Sequence, residues 1–194
     1  MEAYVSTAGA FNLGGIYYDK EKQFTASAVV KNLGIQFIPY YEGHKEPLPL
    51  DVQLGISKKL KYNPLRLSII AHDLQTWDLT YYNPNKRNKV IDLETQKEKI
   101  EKVPVPEKIM RHMNFVSEFL FSEKFNVLIG YNYQRRKELS PEQRKVMTGF
   151  SWGMSLNLLK FRFTYGMASY YPGQPTFNFS LAKNMSDFKK KSSI

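Results

Sequence analysis

A chain of 194 residues with 42% hydrophobic content is long enough for one sizeable domain, yet it holds no apolar run near the roughly 20 residues that a membrane helix needs. It has no cysteine, which excludes a disulfide framework, a thiolate nucleophile and a thiol-bound metal. The net charge of +10 comes mainly from basic residues between the periodic segments, at 85–102, 134–145 and 189–191, and no basic helix or nucleic-acid module accompanies it, so no nucleic-acid partner is expected.

The first residues, MEAYVSTAGAF, lack a basic start and a continuous apolar stretch and do not read as a signal peptide. A weak strand signal over 3–18 is followed by a clear one: Phe24, Ala26, Ala28 and Val30 alternate with Thr25, Ser27 and Lys31. Leu48, Leu50, Val52, Leu54 and Ile56 then alternate with Asp51, Gln53, Gly55 and Ser57, and Leu65, Leu67 and Ile69 with Arg66 and Ser68. The long segment 78–112 breaks the pattern; within it 92–102 is predicted as a short helix supported by Glu98 with Lys102, and VPVPE after it as extended.

Alternation returns weakly over 113–122. It is strong where Phe125, Val127, Ile129, Tyr131 and Tyr133 alternate with Asn126, Gly130, Asn132 and Gln134. The stretch from 150 onward repeats it three times, with Phe150, Trp152, Met154, Leu156 and Leu158, then Phe161, Phe163, Tyr165 and Met167, then Phe177, Phe179 and Leu181 on one side. The pattern predicts about nine strands, each with one apolar and one polar face. Most approach the roughly 9 to 11 residues that cross a bilayer at a tilt.

Connections alternate in length as well. Short ones lie at 19–22, 58–63, 122–124 and 159–160; longer ones at 38–47, 78–112, 134–146 and, moderately, 171–175. Outer-membrane barrels combine tight periplasmic turns with longer external loops. The expected fold is therefore an all-β, antiparallel outer-membrane β-barrel. Residues 1–188 would be a partial transmembrane barrel with a long extracellular loop at 78–112, and 189–194 a basic tail. A strand that starts outside the cell, and the even strand number of bacterial barrels, lead to the expectation that N-terminal strands and a signal peptide lie upstream.

On this reading Asp51, Gln53, Arg66, Glu118, Asn126 and Arg162 face the lumen. Phe150, Trp152, Met154, Phe161, Phe163, Phe177 and Phe179 face membrane lipid. No catalytic, metal or cofactor site is expected. His44, His72 and His112 are scattered without HExxH spacing, and Ser186 to Lys189 has SxxK spacing without SDN or KTG elements. A mean hydropathy of −0.45 leaves a soluble β-sandwich or carbohydrate-binding module open as a competing fold, which would require all the apolar faces to meet in one core.

The segments VVKNLGIQFIPY, EPLPLDVQLGISKKLKYNPLRLSIIAHDLQTWDLTYY, FNVLIGYNYQRRKEL and TGFSWGMSLNLLKFRFTYGMASYY resemble the PorV/PorQ family of outer-membrane proteins of the type IX secretion system. The most specific part is EPLPLDVQLGISKKL followed by AHDLQTWDLTY. The likeness spans nearly the whole chain, which looks like the C-terminal part of a longer member. It implies a FadL-like barrel of about 14 strands in the outer membrane of Bacteroidota-type bacteria. It also implies a non-catalytic role in export or surface attachment of cargo proteins, alongside other secretion subunits. A FadL-type transporter of hydrophobic small molecules is the alternative on the same scaffold.

Overall fold

The computed structural model describes residues 5–39, 45–81, 89–91, 98–100, 103–139, 147–171 and 174–183. Its strands are β1 (Thr7–Asp19), β2 (Phe24–Ile38), β3 (Asp51–Lys59), β4 (Leu65–Ala71), β5 (Lys89–Ile91), β6 (Glu98–Ile100), β7 (Met113–Leu120), β8 (Phe125–Asn132), β9 (Phe150–Leu158), β10 (Phe161–Tyr171) and β11 (Gln174–Lys183); two helices are α1 (Val105–Arg111) and α2 (Tyr133–Leu139). β5 and β6 pair with each other as a separate hairpin. The other nine strands form one sheet in the order β1-β2-β3-β4-β7-β8-β9-β10-β11. Every neighbouring pair is antiparallel.

This is the nine-stranded antiparallel sheet that the alternation predicts. It is open, with β1 and β11 as its edges. Three of the four pairs of connections sort by length as expected: the turns 20–23, 60–64, 121–124 and 159–160 join strands at one end, and the connections 39–50, 72–112 and 133–149 at the other; the connection expected at 171–175 is shorter, because β10 runs to Tyr171 and β11 begins at Gln174. No helix among the described residues is long and apolar enough to cross a membrane.

The two faces are most clearly distinct in β9. In β9, Phe150, Trp152, Met154, Leu156 and Leu158 are exposed while Ser151, Gly153, Ser155 and Asn157 are half-buried. The usual burial order of a soluble sheet is thereby reversed. Ala168 is the buried apolar residue among those described, at 9% exposure, and no second layer among them covers the apolar face. One cavity touches residues of β4, β7, β8, β9 and β10 on the polar side, which requires the sheet to curl around it. The polar face is thus concave and the apolar face convex.

A bulge keeps the apolar row continuous in β2. Leu13 pairs with Val30 and Phe11 with Leu33, so Asn12 faces two residues, Lys31 and Asn32, and Asn32 takes φ +56. An extra residue in one strand moves the alternation by one position. The convex row accordingly changes from Phe24, Ala26, Ala28 and Val30 to Leu33, Ile35 and Phe37, the last three all exposed.

Three expectations are corrected. The helix predicted over 92–102 is overturned at Glu98–Ile100, which is β6; its other residues lie outside those described. The VPVPE segment is not extended throughout, because α1 begins at Val105 with a proline in its first turn, where the missing N–H is unneeded. The strand reading of Tyr133 and Gln134 also fails. β8 ends at Asn132, whose side-chain oxygen accepts the backbone N–H of Arg135 at 2.6 Å and so caps α2. The basic tail 189–194 lies outside the described residues.

Candidate functional site

Cross-strand register places all six polar candidates on the concave face. Lys31 faces Asp51, Val29 faces Gln53, Arg66 faces Glu118, Leu120 faces Asn126, and Asn157 faces Arg162. Four of the six meet near the tight-turn end. Arg66, Glu118, Asn126 and Arg162 line one cavity of about 350 Å³ together with Ser155 and Asn157. The Arg66 guanidinium donates to Glu118 at 2.7 Å, and the Asn126 amide donates to the other carboxylate oxygen. Arg162 donates through Nε to Asn157 Oδ1 at 2.9 Å. Each charge is held by a neighbour on the next strand, an arrangement that stiffens the wall of the cavity.

Asp51 and Gln53 stand apart at the opposite end. The Gln53 amide donates to Asp51, whose other oxygen accepts the Asp73 backbone N–H at 3.0 Å. Lys31 lies 4.0 Å from the same carboxylate. These contacts anchor the start of the connection that follows β4.

Beside them lies a polar cluster that sequence reasoning missed. His72 and His112, separated by 40 positions, come together because Ala71 is paired with Met113; the ring centroids are 6.4 Å apart. His72 Nδ1 is 2.8 Å from Asp73 Oδ2. His112 Nδ1 is 2.8 Å from the His72 carbonyl, and its Nε2 is 3.3 Å from that of Trp77. Both histidines are buried, and their contacts close the base of the long connection.

The two helices complete this end. Arg111 of α1 is buried between Glu107 at 3.1 Å and Glu138 of α2 at 3.6 Å, and Lys137 lies 3.5 Å from Glu107. The Arg135 guanidinium stacks 4.0 Å from the Tyr170 ring centroid. A second cavity of about 340 Å³ lies between α2 and the concave residues Gln53, Asn114 and Asn132. α2 therefore lies over the concave side and narrows it at the long-connection end. The signals for these helices were present in Pro106 and in the Asn132 cap, but alternation through Tyr133 outweighed them.

The seven apolar candidates share the convex face. Trp152 is 43% and Phe179 70% exposed; Phe150, Met154, Phe161 and Phe177 are also exposed, and Phe163 is half-buried. Their rings form a diagonal ladder across β9, β10 and β11, with Trp152–Tyr165 at 5.6 Å, Tyr165–Phe177 at 6.3 Å and Phe163–Phe179 at 6.5 Å. No group of three or more histidine or carboxylate side chains among the described residues could hold a metal ion. The chain matches no protein-family profile, and no curated protein or solved structure is significantly similar to it.

Proposed function

We propose that this chain forms part of a FadL-like β-barrel in the bacterial outer membrane. The carrying observation is the exposed apolar face that runs over the nine-stranded sheet while polar side chains pair on the concave side. Water outside and a packed core inside would favour the opposite arrangement; hydrocarbon outside and a polar lumen inside favour this one. The segregation of tight turns and long connections at opposite ends supports the same reading, with the tight turns in the periplasm. The open edges β1 and β11 are where further strands of a barrel of about 14 would pair.

The biological role rests on the resemblance to the PorV/PorQ family, closest to its PorQ branch. In that role the barrel is a non-enzymatic component of type IX secretion, supporting export or surface attachment of cargo proteins with other secretion subunits as partners. Fractionation with outer membranes and heat-modifiable migration in detergent gels test the barrel; recovery as a soluble monomer rejects it. Deletion tests the role. Loss of cargo secretion with lipid uptake intact is the expected result, and the converse assigns the barrel to transport of hydrophobic small molecules.

A further inference from the structure

His112 stands where the connection 72–112 both leaves and rejoins the sheet, since the His72 backbone N–H donates to the His112 carbonyl at 3.0 Å, directly beyond the Ala71–Met113 pair. The residue is 5% exposed, so its ring nitrogens depend on protein partners. Both partners are main-chain carbonyls: that of His72, 2.8 Å from Nδ1, and that of Trp77, 3.3 Å from Nε2. A carbonyl oxygen only accepts, whereas a neutral imidazole carries one N–H and one lone pair. The neutral ring therefore satisfies one carbonyl and turns a lone pair towards the other. The imidazolium donates to both at once.

His72, whose ring centroid is 6.4 Å away, is arranged differently. Its Nδ1 is 2.8 Å from a carboxylate oxygen of Asp73, and its Nε2 is buried without a hydrogen-bond partner. A single N–H serves that contact. Burial opposes a charge on His112, and two carbonyl dipoles aimed at the ring favour one. The charged groups around the pair are engaged with one another. On the connection these are Asp73 with His72, and Asp78 with Lys108 of α1; between α1 and α2 they are Arg111 with Glu107 and Glu138, and Lys137 with Glu107.

We propose that His112 is a proton-operated clamp on this connection: as an imidazolium it bridges the His72 and Trp77 carbonyls, and when the Nε2 proton leaves to solvent it keeps the shorter bond to His72 and releases Trp77. The tie is present while the ring is charged and is lost as pH rises. Trp77 is 60% exposed, so its release opens no core, and the Lys108–Asp78 contact is left to hold the start of the connection on α1. Histidine is the side chain that gains or loses charge between about pH 5 and 8, and long connections on a rigid sheet are where partners are met. The clamp makes the shape of this one follow the acidity of its surroundings. It goes beyond the membrane reading and does not depend on it.

The full chain, in the detergent or buffer that keeps it monomeric, is titrated between about pH 5 and 8. Histidine ring nitrogens are followed by NMR and assigned by His44→Gln and His72→Gln in turn; amide hydrogen exchange over 76–80 is measured alongside and corrected for the intrinsic effect of pH. At the acid end both His112 ring nitrogens should carry protons, and loss of one should accompany exchange about tenfold faster, the loss expected for one hydrogen bond to a charged group. His112→Gln should exchange fast at every pH, and His72→Gln should keep the pH dependence. PH dependence that survives in His112→Gln overturns the clamp. So does a His112 ring that keeps one charge state over the whole range, a result read from the parent chain whether or not His112→Gln folds.

Discussion

Arg66 on β4 and Glu118 on β7 stand directly opposite in the sheet, and their charged groups meet at 2.7 Å on the concave face. Asn126 of β8 satisfies the remaining carboxylate oxygen, so three strands share one polar knot. The Glu118 side chain is 14% exposed and that of Arg66 41%, which lets water screen part of the attraction. Arg66→Met should therefore cost only about 1–2 kcal/mol. A double-mutant cycle with Glu118→Gln, read by urea unfolding in lipid vesicles, should give a coupling of about 1 kcal/mol. Zero coupling would mean that the pair is incidental.

Asn32 has φ +56 at the bulge and is tied down twice: its N–H donates to Asn12 Oδ1 and its amide to the Pro49 carbonyl, each at 2.8 Å. Glycine can adopt this conformation freely, whereas a β-branched residue cannot. Asn32→Gly should lose only the amide contact, about 1 kcal/mol. Asn32→Val should lose about 2–3 kcal/mol, because strain of about 1–2 kcal/mol is added. Equal unfolding midpoints for the two variants would refute the role of the bulge.

That bulge also explains why β2 reads from the sequence only to Lys31. A two-residue period registers sidedness until an inserted residue shifts its phase, and Leu33, Ile35 and Phe37 continue the same face from odd positions. Strands without a bulge, such as β9 with Phe150 to Leu158, were legible in full. So was the common face of Arg66, Glu118, Asn126 and Arg162, because face follows from parity. Their convergence on one cavity depends on register and curvature, which alternation does not encode. The meeting of His72 with His112 likewise needs the Ala71–Met113 pairing. Near α2 the period misled, since Tyr131 and Tyr133 are both apolar enough to extend a strand that Asn132 ends.

The connection after β4 is fastened to α1 by Asp78, whose carboxylate receives the Lys108 ammonium at 2.5 Å. That hydrogen bond, with further ones from Thr80, lowers the carboxyl from 3.8 to about 2. A carboxyl lowered on folding contributes fully above its unfolded value and loses that contribution as pH falls through the folded one. Trp77 emission, followed in a Trp152→Phe background, should hold steady for this contact between pH 7 and about 5 and change between about 4 and 2. Asp78→Asn should remove that acid transition. Persistence of the transition in Asp78→Asn would assign it to another group.

Arg111 is buried with Glu107 on its own helix and Glu138 on α2. Removing Arg111 leaves two partly exposed carboxylates, of which Glu107 keeps Lys137 at 3.5 Å, at a cost of about 1.5–3 kcal/mol. Arg111→Met should strip hydrogen-exchange protection from α1 and α2 while the amides of β9 and β10 keep theirs. Uniform loss over the sheet would show that the helices are part of its cooperative unit and not a separate cap.

The convex face supplies the sharpest discrimination, because one substitution has different consequences in lipid and in water. Trp152 is 43% exposed and leans on Tyr165, so in water Trp152→Arg would lose only part of its packing and cost about 1 kcal/mol, the usual size for a point substitution. Against hydrocarbon the same arginine costs about 2–4 kcal/mol at the midplane. Phe163→Arg, in the ring ladder with Phe179, should behave alike. Thr164→Arg is the control: Thr164 pairs with Ser155 and Ser180 on the concave face, where a polar lumen would solvate the guanidinium. Urea unfolding in lipid vesicles should rank Trp152→Arg and Phe163→Arg well below the parent and Thr164→Arg within about 1 kcal/mol of it. If the three variants lose stability equally, hydrocarbon is not what the convex face meets.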